Sequence, residues 1–185
     1  MTQNREGHYR ETLFVVTSAA IAAVYVVLTL PFAQVAFGPL QFRLAESMSI
    51  LPILTPAAIP GLTIGCFLSN LLNPQNLGLI DIVFGTIATL LSAVCTRYLY
   101  RILHKIKEVP RDLASLLPPI VFNALIVGTY LTFLLTDGPV LMTMIVINVG
   151  WIALSETLVV YVIGYPILLI LRKSGVGRIW ERKRM

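Results

Sequence analysis

Phe37-Gly-Pro-Leu-Gln-Phe-Arg-Leu-Ala-Glu-Ser-Met-Ser-Ile-Leu-Pro52 decides how this chain folds. It sets Gln41, Arg43 and Glu46 inside a chain that otherwise keeps charge out of its apolar segments. A charged side chain placed in hydrocarbon costs about 2.5–3.5 kcal/mol on insertion scales, so it faces the protein interior or a cavity. Arg43 and Glu46 are three residues apart, the spacing at which helical neighbours meet, which predicts partial mutual neutralisation. Asp81, Asn123, Asn148 and Glu156 lie in separate apolar segments. The expected fold closes around a polar pocket that these residues line.

Composition points the same way. Hydrophobic residues make up 57% of the 185 and charged ones 12%, about half the charge of a soluble domain. The core such a chain forms is covered by lipid. Cys66 and Cys95 sit in apolar segments without a CxxC pattern or a nearby histidine, and read as small buried thiols, not as a disulfide or metal site. No cofactor is expected.

The basic residues orient the chain. Arg5 and Arg10 precede the first apolar run; Arg97, Arg101, Lys105, Lys107 and Arg111 cluster in the middle. Arg172, Lys173, Arg178, Arg182, Lys183 and Arg184 follow the last run, and only Arg43 lies elsewhere. Positive charge marks cytoplasmic loops, so all three regions are expected inside. Nucleic-acid binding, the rival reading of a basic chain, requires charges interleaved with aromatics on one soluble face; here they flank spans.

The expectation is an all-α integral membrane protein, one bundle over 1–185 with six transmembrane helices. The spans read as 13–32, 42–54, 59–73, 79–99, 116–135 and 140–171, with cytoplasmic tails 1–12 and 172–185. Residues 1–11 read as frayed or as an interfacial turn, and 97–115 as a basic inner loop. The second segment, closed by Pro52, Pro56 and Pro60, is short for a span. It must tilt, thin the membrane, or form a re-entrant hairpin with the third, which would leave four full spans. The last run is longer than a bilayer needs, and Gly164 and Pro166 offer it a kink.

Two features carry chemistry. Ser18-Ala-Ala-Ile-Ala-Ala23 gives the first helix a face with Ala19 and Ala23 at i, i+4, and small-xxx-small faces let helix backbones approach closely in lipid. The alternative is packing within this same protein. The second feature is the intramembrane polar set: Gln41, Arg43, Glu46, Asn70, Asp81, Asn123, Asn148, Trp151 and Glu156. Asn148, Trp151 and Ser155 share a helical face, with Glu156 next to it. A lone Asn reads best as an interhelical hydrogen bond, but three acids with an arginine read as a site for a flat, donor-rich, cationic ligand on which Trp151 stacks.

Enzyme signatures are missing. There is no HExxH, GxSxG or Walker A lysine loop, and His8 and His104 fall in the cytoplasmic parts. ATP-driven work would need other subunits. A proton-coupled secondary carrier, with Glu46, Asp81 or Glu156 as the protonation site, and a ligand-free membrane anchor are the alternatives from other classes.

Tyr25-Val-Val-Leu-Thr-Leu30, Phe37-Gly-Pro-Leu-Gln-Phe-Arg-Leu-Ala-Glu46, Gly61-Leu-Thr-Ile-Gly-Cys-Phe-Leu-Ser-Asn70 and Asp81-Ile-Val-Phe-Gly-Thr86 resemble the queuosine-precursor (QueT-type) substrate-binding S component of energy-coupling-factor (ECF) transporters. The likeness runs in order from about Ala19 to Pro166. It implies a six-helix subunit that captures a deazaguanine such as preQ1 from outside. It also implies docking through the Ala19/Ala23 face on a transmembrane T component, with two ATPase subunits beneath.

The orientation is testable. In intact cells, a cysteine introduced by His104→Cys is expected to react with a membrane-impermeant maleimide only after permeabilisation. Labelling from outside would reverse the topology.

Overall fold

A computed structural model describes residues 2–32, 42–73 and 77–174, and no strand occurs among them. Helix α1 (Thr2–Thr29) ends in a 3₁₀ turn at Leu30–Phe32. A 3₁₀ stretch, Leu44–Ile50, leads into the single turn α2 (Leu51–Leu54), and α3 covers Ala58–Leu72. Then come α4 (Leu79–Ile102) and α5 (Glu108–Ser115). Next, α6 (Leu117–Phe122) and α7 (Gly128–Leu135) are joined by a π-helical turn at Asn123–Val127. Finally, α8 (Met142–Thr157) and α9 (Tyr165–Lys173) are joined by a second one at Leu158–Gly164.

Four of these rods are long and apolar enough to cross a membrane: Gly7–Phe32, Leu79–Lys105, Glu108–Leu135 and Met142–Lys173. Leu44–Leu54 and Ala58–Leu72 are shorter apolar helices, so the count of six full spans is not reproduced by length. The interior combines apolar clusters around Tyr25 and Leu62, Val127 and Leu131, and Ile50 and Leu168 with a buried polar set, and the outside is apolar. Arg43, Glu46, Asn70, Asp81 and Glu156 are buried, while Val16, Val27, Val83, Ile87, Phe133 and Ile170 are exposed. That arrangement suits lipid.

Three expectations change. Residues 2–11 are helical and prolong α1; Thr12 Oγ1 donates to the His8 carbonyl at 2.8 Å. Residues 97–115 are not one loop, because α4 runs through Arg97 and Arg101 and α5 opens at Glu108. Its reason is Asp112, fully buried and gripped by both terminal nitrogens of Arg172, which also reaches Glu108 at 2.7 Å. Arg111 lies over the Tyr100 ring, 4.2 Å from its centroid, and donates to the Tyr100 hydroxyl at 2.9 Å. These contacts gather the end of α4, the start of α5 and the end of α9 at one end of the bundle. Third, Arg97 is not a solvated loop charge. It is buried, and its Nη1 donates to the Pro52 carbonyl at 2.6 Å.

The 3₁₀ winding explains how so short a segment covers so much depth. Arg43 stands beside Asp81 near the start of α4, and Pro52 is tied to Arg97 near its end. At 1.5 Å per residue, about 24 Å of α-helix separate Asp81 from Arg97. A 3₁₀ helix rises about 2.0 Å per residue, so 43–52 with two long arginine side chains can match that length. Such winding at membrane depth is tolerated where it is buried in protein, and Ala45, Glu46, Ser47, Ser49 and Ile50 are buried.

Glycines set the closest approaches. α1 and α3 run parallel, with a Cβ at Gly61 falling 2.8 Å from Ile21 Cβ and one at Gly65 falling 2.7 Å from Tyr25 Cβ. Ser18 Oγ adds a bond to the Ala57 carbonyl at 3.0 Å. Gly164, in the second π-turn, meets the Ser47 carbonyl the same way, at 2.8 Å. The kink expected at Gly164 and Pro166 is this π-turn. The proline has no N–H for the ladder and its ring crowds the carbonyl four residues back.

Gly65→Val is expected to push α1 off α3 and lower stability by about 1–3 kcal/mol or more. Gly150→Ala, inside α8 and with nothing within 4 Å of the added methyl, should raise stability by about 0.5–1 kcal/mol. Thermal denaturation in detergent checks both.

Candidate functional site: a buried polar cluster

The 3₁₀ stretch brings Glu46 to the middle of the cluster. It accepts from Tyr25 OH of α1 at 2.5 Å and from Ser49 Oγ, one 3₁₀ turn on, at 3.0 Å. Both oxygens of a carboxylate 2% exposed are thus engaged by neutral donors, which is what a buried acid requires. The expected Arg43–Glu46 helical pair gives way to another arrangement. Arg43 precedes the helix with extended backbone, φ −96° and ψ 105°, so the i, i+3 helical geometry does not apply. Its Nη2 stands 3.9 Å from Asp81 Oδ1.

Asp81, in the first turn of α4, also accepts from Tyr130 OH of α7 at 2.6 Å. Asn70 Nδ2 bonds the Asp81 carbonyl at 3.3 Å and approaches Cys66 Sγ at 3.7 Å. Gly85 makes room for Asn70, since a Cβ there would lie 2.8 Å from Nδ2. Arg43 lies within electrostatic reach of Tyr25, Cys66 and Tyr130 as well as Asp81.

Glu156, near the end of α8, closes the set. It is buried, faces the charges of Glu46 and Arg43, and has Asn123 beside it. Asn123 opens the first π-turn. Four polar atoms here have no hydrogen-bond partner among the described residues: Asn70 Oδ1, Asp81 Oδ2, Asn123 Nδ2 and Glu156 Oε2. Buried groups are ordinarily hydrogen-bonded, so unmet capacity of this kind is available to a ligand.

The structure therefore brings Arg43, Glu46, Asn70, Asp81, Asn123 and Glu156 together. It leaves two of the sequence-derived residues outside. Trp151 is about half exposed and lines a shallow recess with Ile147, Gly150 and Leu154, so it does not stack within the cluster. The inward face of α8–α9 is set by Ile152, Ser155, Glu156 and Val159, and at about 100° per residue Trp151 falls beyond its edge. Asn148, half-buried, donates to Thr132 Oγ1 at 2.9 Å, an ordinary interhelical bond. Gln41 lies outside the described residues. Tyr25, Tyr130, Ser49 and Cys66 are additions. A phenol in mid-span needs a partner for its hydroxyl, and that is the sign by which both tyrosines were to be found.

Tyr25→Phe and Tyr130→Phe each remove a bond to a buried carboxylate. Each is expected to cost about 1.5–3 kcal/mol of stability. Tyr98→Phe, at an exposed position, should cost nothing. Thermal melts of the three purified variants make the comparison.

The sequence model of the QueT transporter family matches residues 15–173. The queuosine precursor transporter QueT of Lactococcus lactis subsp. cremoris (strain MG1363) is 34% identical over 82 residues, 43% of this chain and 47% of that protein. The alignment thus spans about half the length of that relative. No solved structure matches the chain. With a match over most of its length and a buried polar cluster sheathed by apolar helices, this multi-pass membrane protein belongs to the QueT transporter family.

Proposed function

We propose that this chain is the substrate-binding S component of an ECF-type importer, which captures a queuosine precursor, a 7-deazaguanine such as preQ1, for ATP-driven uptake. The observation that carries the reading is the buried cluster of three acids, one arginine and two amides with unmet hydrogen-bonding atoms. A guanine-like edge offers adjacent N–H donors that a carboxylate accepts in pairs. Asn70 and Asn123 supply both donors and acceptors. The relative's name gives the substrate class, and the polar cluster gives that class a chemical fit.

In this reading T and ATPase subunits supply the energy. Ala19 and Ala23 are exposed on α1, on the side away from Ser18, Ala22 and Tyr25, which pack toward α3. A bare small-residue face on a helix already packed on its other side supports docking of a partner helix. The six-crossing topology with both ends cytoplasmic belongs to the same proposal; the 3₁₀ stretch supplies the depth its second crossing needs. A proton-coupled carrier is favoured by one observation, the unpartnered oxygen of Glu156. Reconstitution separates the two, since a carrier transports alone in proteoliposomes and an S component requires its partners and ATP.

Mass spectrometry of small molecules retained through purification tests the ligand. A deazaguanine is the expected finding, and an unrelated vitamin would overturn the assignment. Ala19→Trp and Ala23→Trp are expected to abolish uptake while ligand binding stays at the parent level. Normal uptake by both would return that face to lipid.

A further inference from the structure

Charge is unevenly distributed along the buried cluster. At one end Asp81 has Arg43 at 3.9 Å and the Tyr130 hydroxyl at 2.6 Å. At the other, Glu156 is 5% exposed, Oε2 has no hydrogen-bond partner among the described residues, and Glu46 is close enough to repel it. Asn123 lies beside Glu156, 4% exposed, with its Nδ2 likewise unpartnered. Both residues flank departures from α geometry. Asn123 opens one π-turn, and Glu156 sits two residues before the other. Such turns are frequent where a helix carries a functional site.

Three acids share one arginine, and that arginine stands at the Asp81 end. A buried carboxylate needs a counter-charge or strong donors. Glu156 has Arg43 within electrostatic reach and the Asn123 amide beside it. That arginine, however, stands 3.9 Å from Asp81, and Oε2 of Glu156 is left without a donor among the described residues. We infer that Glu156, with Asn123 beside it, is the subsite for a protonated amine on the ligand, and that it selects an aminomethyl-bearing deazaguanine over one with an uncharged 7-substituent. An ammonium carries three donors and no acceptor, which matches the buried, unpartnered Oε2 of Glu156, while the Asn123 amide beside it can orient the carboxylate. The unpartnered acceptors at the other end, Asp81 Oδ2 and Asn70 Oδ1, suit the N–H groups that both kinds of base share. This assignment rests on the deazaguanine reading above and adds to it an orientation and a basis for selectivity.

Titration calorimetry of the detergent-purified chain with 7-aminomethyl-7-deazaguanine and 7-cyano-7-deazaguanine tests it. The parent should bind the aminomethyl compound more tightly. Glu156→Gln should weaken that ligand about ten- to a hundredfold and leave the cyano compound unchanged. Asp81→Asn should weaken both together. Equal losses for the two ligands in Glu156→Gln, or no loss in either, would overturn the assignment. If Glu156→Gln binds neither, Glu156→Asp, which keeps the charge, decides. A retained preference for the amine supports the subsite, whereas equal affinities or no binding overturn it. A parent that binds both ligands equally overturns the subsite alone; one that binds neither removes the deazaguanine reading itself.

Discussion

A carboxylate held at the depth of hydrocarbon must be hydrogen-bonded on all sides, and Glu46 imposes that demand on two elements at once. Tyr25 comes from α1 and Ser49 from the same 3₁₀ stretch, while the like charge of Glu156 on α8 lies close enough to be felt. Stripping one hydrogen-bond donor from a buried charge costs about 1.5–3 kcal/mol, so the elements that carry these donors are fixed relative to one another. The far end of the stretch is fixed separately, by Arg97 on the Pro52 carbonyl. A segment too short to span is thereby pinned top and bottom against α4.

α1 shows the same economy on its two faces. The inward side is pressed so closely on α3 that Gly61 and Gly65 leave no room for a methyl group. The outward side carries Ala19 and Ala23 with Val16 and Val27. Tyr25 reaches the site from the inward side, four residues after Ile21. The helix that anchors Glu46 is therefore also the one with an uncovered small-residue face.

Much of this was legible because charge is conspicuous in an apolar run. Arg43, Glu46, Asp81 and Glu156 stand out without any structure, and the amides Asn70 and Asn123 nearly so. Tyr25 and Tyr130 did not stand out, since tyrosine counts as apolar by composition and its hydroxyl matters only once a carboxylate faces it. Trp151 was misread because shared helical spacing does not say where the buried sector of a helix ends. Arg97 was misread because a basic residue near a basic cluster looks like part of a loop. Only the course of the second segment shows a lone carbonyl waiting for it. Helix count is the least legible feature, since it depends on rise per residue, and nothing in Leu44–Ile50 announces 3₁₀ winding.

That winding has a consequence for how side chains line up. In an α-helix, residues three apart fan around the axis; in a 3₁₀ helix they eclipse. Within Leu44–Ile50, Glu46 and Ser49 then form one straight file and Ser47 and Ile50 a second, all buried, and Pro52 and Ile53 in the α2 turn that follows are buried too. The 3₁₀ stretch behaves as a three-sided prism, with two edges committed to the interior and the third starting at buried Ala45 and becoming only partly covered at Met48. Tolerance to substitution along it should repeat every three residues, a rhythm that neither a helical wheel nor a strand pattern would detect.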